Sequence, residues 1–274
     1  MKKIPFFSYP LALTSLIFLS TFFLMAIIGP FLTPYSYHET HLDLKNLAPS
    51  FQFWFGTDEL GRDLFTRTWW GARISLTVGI SAALIDMIIG VFVGSVAAFF
   101  GGKIDEILMR LCDILHSLPY LLIVILLMVI MGPGIGTILI ALTITGWINM
   151  ARIVRGQVLS LKEREFVKAS YVLGASSFRI LFIHIIPNVS STILVTMMLT
   201  IPSAMFAEAF LSFLGLGVQA PIASWGVMMN DGLSALRYYP WRLFFPAICI
   251  TCTMVAFHLL SESIREFLEP RKAL

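Results

Sequence analysis

The chain has 274 residues, of which 58% are hydrophobic and 13% charged, and its mean hydropathy is +0.86. Those values exclude an ordinary soluble domain and describe an integral membrane protein. The net charge of +3 is too small, and too spread along the chain, to mark a nucleic-acid surface, so no nucleic-acid partner is expected.

A hydrocarbon core of about 30 Å asks for roughly 17–25 apolar residues per helix, with every backbone hydrogen bond made internally. Six runs meet that length: 10–32, 74–100, 108–131, 135–157, 190–213 and 243–264. None shows the alternation of a transmembrane β-barrel strand, so the expected fold is an all-α membrane protein of six transmembrane helices. The first run follows Lys2 and Lys3 like a secretory signal. It is longer than a signal's apolar region and ends in "GPFLTP" without a small-x-small cleavage site, so it reads as a retained helix within an N-terminal part, 1–33.

Residues 34–73 form an external segment rich in Pro, Tyr, His and Asp. Within it, Gly56-Thr57-Asp58 and Gly61-Arg62-Asp63 read as turns with capping residues, and Trp69 and Trp70 suit the membrane interface. His38 and His41 have an H-x-x-H spacing, but in so polar a loop they read as solvated side chains, and no metal site is expected. The core, 74–264, opens with a helix whose Gly90-x-x-x-Gly94 lets another helix approach closely. Pro119, Pro202 and Pro246 interrupt three later runs, as expected of a bundle of bent helices that moves. Cys249 and Cys252 form a CxxC inside "FPAICITCTMVAF"; these and Cys112 read as small apolar packing residues. Two ionisable residues fall inside membrane runs, where they are costly and ordinarily functional. They are Asp86 in "AALIDMIIG" and Glu208 in "AMFAEAFLSF", both candidates for a translocation path, with a structural hydrogen bond to a neighbouring helix an equal reading for Asp86. Glu208, six residues after Pro202 and just before the glycine-broken "SFLGLGVQAP", is expected to face a cavity.

Orientation follows from Lys and Arg. With the N-terminus inside, only Lys45, Arg62, Arg67, Arg73, Arg237 and Arg242 lie outside, leaving thirteen of the 19 basic residues in the cytoplasm. Both termini, the tail 265–274 and the loop 158–189 are then cytoplasmic. No phosphate-binding glycine loop occurs: Gly102-Lys103 is followed by Ile104 and lacks an upstream glycine. A G-x-S-x-G elbow and an H-E-x-x-H are also missing. No catalytic residue is indicated, and no cofactor is expected on this chain.

The loop 158–189 contains "KASYVLGASSFRILFIHIIP", Lys168 to Pro187, far more than a connection between two helices needs. Read as a helix, Phe166, Ala169, Ser170 and Leu173 share one side, and Gly174 ends the helix in a left-handed cap. Small residues at Ala169 and Ser170 let another surface come close, which suits docking in a groove of a cytoplasmic protein.

This segment resembles the EAA motif of ABC-importer permeases: Glu-Ala-Ala, three residues, Gly, nine residues, then Ile-x-Leu-Pro. Here it reads Lys168-Ala169-Ser170, Tyr171-Val172-Leu173, Gly174, nine residues, then His184-Ile185-Ile186-Pro187. Lys168 stands for the glutamate, Ser170 for the second alanine, His184 for isoleucine and Ile186 for leucine. Together with "FGTDELGRDLFTRTWWGARISL" and "LSFLGLGVQAPIASWGVMMNDG", the chain resembles the second permease subunit of oligopeptide/dipeptide importers over nearly its whole length.

The resemblance implies a type I importer-permease fold in the bacterial inner membrane and an ATP-driven function in peptide uptake. Its implied partners are a second homologous permease, two ABC ATPases holding ATP and magnesium, and an external solute-binding protein. Lys168, Ala169, Ser170, Tyr171, Gly174 and Pro187 become the ATPase-coupling residues. Nickel or another small solute is the alternative cargo. An ion-coupled secondary transporter using Asp86 and Glu208 is the rival class, and it has no use for an EAA-like loop.

Overall fold

A computed structural model describes residues 10–219 and 221–268 of the chain. Lys2, Lys3, Arg271 and Lys272, used above for orientation, lie outside them. Among the described residues the protein is helical, with no strand and one isolated antiparallel bridge between Thr57 and Asp63.

Helix α1, Pro10–Ile28, runs into a short 3-10 turn at Gly29–Phe31. The external segment then leads to α2, Leu64–Phe100. At 37 residues and a rise of 1.5 Å each, α2 is about 55 Å long, well beyond one hydrocarbon thickness. It begins at Leu64 and not at 74, so the last part of the expected external segment is bundle helix. Asp63 caps it, accepting from Thr66 N at 3.0 Å and from Thr66 Oγ1 at 2.6 Å, which satisfies a donor the first turn would leave orphaned. Gly101, at φ +66°, ends it.

The early start of α2 is made possible by tertiary partners for its charges. Arg73 donates to the last carbonyls of α1, Ala26 O at 2.5 Å and Ile27 O at 2.6 Å. Arg67, only 2% exposed, lies 3.5 Å from Asp58 and 3.9 Å from Asp231, and Arg62 reaches Asp58 at 2.6 Å. Arg242 joins the group through Glu59 at 3.1 Å and Asn46 at 3.2 Å. Burial pushes the Asp231 carboxyl up from its usual range, against the pull of Arg67 and Arg62. This ion cluster fastens the external segment onto the bundle. Trp69, expected at the lipid interface, is instead buried, its ring meeting Phe22 edge-on and packing where Gly29 offers no side chain. Trp70 stacks on Tyr37.

The expected span 108–131 is two helices, α3 (Gly102–Ser117) and α4 (Tyr120–Met131), bent by 82°. Pro119 removes a backbone donor and holds Leu118 extended, at ψ 133°, so the helix must break. With 12 residues, α4 extends about 18 Å and cannot cross a bilayer alone. Helix α3 seats Cys112, Met109 and Leu115 on α5 and pairs Asp105 with Arg155 at 2.6 Å.

Helix α5 is Ile135–Lys162. A Cβ built on Gly90 would stand 2.6 Å from Met150 Cβ, and one on Gly94 would collide with Ala151 O, so the glycine pair is where α2 and α5 touch backbone to backbone. Then come α6 (Glu165–Val172), α7 (Ser177–Arg179), a π-helical stretch Ile180–Ile185, and α8 (Ile186–Phe213). Helix α9, Trp225–Leu233, tucks between α8 and α10, Trp241–Leu268. Among the described residues, five helical stretches are long and apolar enough to cross a membrane, and six if the bent α3–α4 pair is one span.

Candidate functional site

Helix α6 has one buried side chain, that of Val167. Val167 is fully buried, packed with Val154 and Val158 of α5 and with Ile180, Leu181 and Ile185 of the π-helical stretch. The face expected to dock points away from that anchor: Phe166, Ala169 and Leu173 are exposed and Ser170 half-buried. Val172 at 87%, Leu173 at 86% and Phe178 at 67% exposure are large apolar side chains that this chain leaves uncovered. Tyr171 lies alongside Phe99 of α2, and partial burial pushes its phenol up.

The end of α6 is built as its sequence predicts. Gly174 has φ +79°, Ala175 N donates to Ser170 O at 3.1 Å and Gly174 N to Tyr171 O at 3.0 Å, which is the paired closure of a Schellman cap. Ser176 then caps α7. Pro187, at the start of α8, has no N–H and its ring crowds the carbonyl four residues back. The wider turn of the π-helical stretch just before it absorbs that conflict. Asn188 Nδ2 donates to His184 O at 2.6 Å. Lys168, standing where the motif has glutamate, pairs with Glu163 at 3.2 Å, both exposed.

The two intramembrane carboxyls have different surroundings. Glu208, expected to face a cavity, is 0% exposed. It accepts from Ser75 Oγ at 2.9 Å and Ser212 Oγ at 2.8 Å. Ser75 Oγ in turn accepts from Trp225 N at 3.4 Å, and Ser224 Oγ donates to Ser212 Oγ at 3.5 Å. Glu208 therefore ties α2, α8 and α9 together and lines no described cavity with Asp86. Its partners are 133 and 4 residues away in sequence, so only the nearer one could have been anticipated.

Asp86 does face a cavity, of about 380 Å³, between α2, α4, α5 and α8. Tyr120, Thr145, Asn149, Thr200 and Ser203 line it too. These were not singled out from sequence, although Thr145 and Asn149, and Thr196, Thr200 and Ser203, recur at one-turn spacing within apolar runs, a polar stripe on a membrane helix. Elsewhere, His38 bonds Ser36 and His41 faces Glu39. All three cysteines are free, with Cys112 and Cys249 buried and Cys252 half-buried in the helix packing.

A bundle of broken membrane helices with a cavity between α2, α4, α5 and α8, and a short, capped helix α6 left exposed beside it, fits one class: a transport permease. The chain belongs to the family of binding-protein-dependent transport system inner membrane components, which residues 90–274 match. Residues 5–49 match the N-terminal TM domain of oligopeptide transport permease C. The chain is 59% identical over 262 residues to the dipeptide transport system permease protein DppC of Bacillus subtilis, covering 95% of this chain and 82% of that protein. It is 57% identical over 266 residues to the oligopeptide transport system permease protein OppC of the same organism, covering 97% and 87%. Against OppC of Escherichia coli K12 it is 42% identical over 262 residues, covering 95% and 87%. It is thus an integral inner-membrane protein of a transport family.

Proposed function

We propose that this chain is the transmembrane permease subunit of an ATP-driven importer of short peptides. It pairs with a second permease, two ABC ATPases that hold ATP and magnesium, and an external solute-binding protein, with both termini in the cytoplasm. The observation that carries the reading is α6: a short helix that buries Val167 against the bundle and is closed by Gly174, with Phe166, Val172, Leu173 and Phe178 left exposed. An apolar face so exposed at the end of a membrane bundle fits insertion into a groove on another protein. The dipeptide and oligopeptide permeases that the chain matches over nearly its whole length support the peptide cargo.

The mechanism is alternating access. ATP binding draws the two ATPases together, and α6, seated in one of them, carries that motion through Val167 into α5 and the π-helical start of α8. The cavity between α2, α4, α5 and α8 then changes the side it opens to, provided its two states differ in affinity for the closed ATPase pair. The Lys168–Glu163 pair keeps the charge at the motif's first position satisfied within the chain, so docking rests on apolar packing around Ala169. The test is energy dependence. Dipeptide uptake by cells carrying the whole system should cease when ATP is exhausted and persist when the proton gradient is collapsed. Uptake that follows the proton gradient would assign the chain to the ion-coupled class.

A further inference from the structure

Asp86 carries more than a place in the bundle. Its side chain is almost fully buried, at 4% exposure, and its Oδ1 has no hydrogen-bond partner among the described residues. The Tyr120 hydroxyl, lining the same cavity, is equally without one. Two unsatisfied polar groups converging on one space are an expensive arrangement inside a membrane. Every other polar group lining that space is an uncharged hydroxyl or amide, among them Thr145, Asn149, Thr200 and Ser203, and no basic side chain among the described residues lines it. Gly146 makes room for the carboxyl: a Cβ there would fall 2.8 Å from Asp86 Oδ1 and closer still to Oδ2. The site therefore presents one carboxyl group, one free hydroxyl and several uncharged groups that donate or accept, in a space of about 380 Å³.

We propose that this cavity binds the ammonium terminus of a peptide in transit, with Asp86 as its counter-charge and the Tyr120 oxygen as a second acceptor. The inference rests on the importer reading for its cargo. An ammonium offers three donors and a positive charge, which matches the unpaired carboxylate oxygen and the phenolic oxygen together. A carboxylate terminus would be repelled, so the cavity orients the peptide amine-first against α2. Hydroxyls of α5 and α8 remain for the peptide's amide.

The test reads the cavity without requiring transport. In the assembled complex, a cysteine at Thr200 is labelled with cationic 2-aminoethyl methanethiosulfonate and with neutral methyl methanethiosulfonate, the complex without that cysteine serving as background. The ratio of cationic to neutral rates should fall about tenfold when Asp86→Asn removes the charge, a factor worth about 1.4 kcal/mol. Glycylglycine should slow labelling, and N-acetyl-glycylglycine should not. Tyr120→Phe, which keeps the charge, should leave the reagent ratio unchanged and weaken the protection by glycylglycine. An unchanged ratio in Asp86→Asn, equal protection by the two compounds, or full protection in Tyr120→Phe each overturns the proposal. Protection by nickel(II) chloride with none by glycylglycine overturns it in favour of a metal cation. A complex that behaves as expected here yet takes up no dipeptide contradicts the importer reading alone.

Discussion

Replacing Ser75 by alanine isolates the role of Glu208. The hydroxyl of Ser75 donates to Glu208 Oε2 at 2.9 Å and accepts from Trp225 N at 3.4 Å, and the side chains of both Ser75 and Glu208 are fully buried. Ser75→Ala leaves one buried carboxyl oxygen without its donor, which costs about 1–3 kcal/mol. Glu208→Gln keeps the shape of the group, and a serine hydroxyl can turn to accept from the new amide, so its cost should stay below about 1 kcal/mol. For a protein of this size, about 2 kcal/mol corresponds to roughly 4–8 °C in Tm. Thermal unfolding of the purified complex, followed by tryptophan fluorescence, should therefore place Ser75→Ala well below wild type and Glu208→Gln close to it, with dipeptide uptake by Glu208→Gln largely kept. If Ser75→Ala melts within about 1 °C of wild type while Glu208→Gln abolishes uptake without a change in Tm, the carboxyl works in the path and the framework role is wrong.

Gly174→Val places a β-branched residue at φ +79°, where no neighbour lies within 4 Å of the new Cβ. The cost is backbone strain of about 1–3 kcal/mol confined to the cap, so co-purification of the ATPases should fall while membrane insertion is unchanged; undiminished co-purification contradicts the cap's role in docking. Gly94→Leu drives a side chain into the Ala151 carbonyl and should destabilise the bundle by at least the 1–3 kcal/mol typical of overpacking. A melting curve matching wild type would remove the α2–α5 contact from the account. Ala169→Trp should assemble but hydrolyse ATP at a rate that loaded binding protein no longer raises, measured by phosphate release.

What could be read in advance was what local chemistry decides. The bilayer's length demand made the apolar runs visible, and Gly90 and Gly94 announced a close helix contact that Met150 and Ala151 supply. Gly174 was legible because a left-handed cap depends on a few consecutive residues. Pro119 announced a bend, but not a division of the run into two helices at 82°, because "LHSLPYLL" continues an apolar run on both sides. The cue was upstream: the charges Asp105, Arg110 and Asp113 between Ile104, Ile107, Leu111 and Ile114 mark an amphipathic helix and not a span. The early start of α2 was hidden by Arg67 and Arg73, which read as external until Asp58, Asp231 and the carbonyls of α1 come into contact with them. Glu208 was misplaced for the same reason. A carboxyl in an apolar run signals a partner or a pathway, and the choice depends on a serine on another helix.

The central claim, that α6 is the lever between this chain and an ATPase, is tested most directly by cross-linking. A cysteine at Ala169, with Cys112, Cys249 and Cys252 replaced, is combined in the native complex with a scan of cysteines along the groove of the ATPase subunit. A disulfide needs Cα atoms within about 7 Å, so the account predicts one short run of groove positions that cross-links efficiently under oxidation. A complete scan with no cross-link, in a complex that still takes up dipeptide at the wild-type rate, would contradict it.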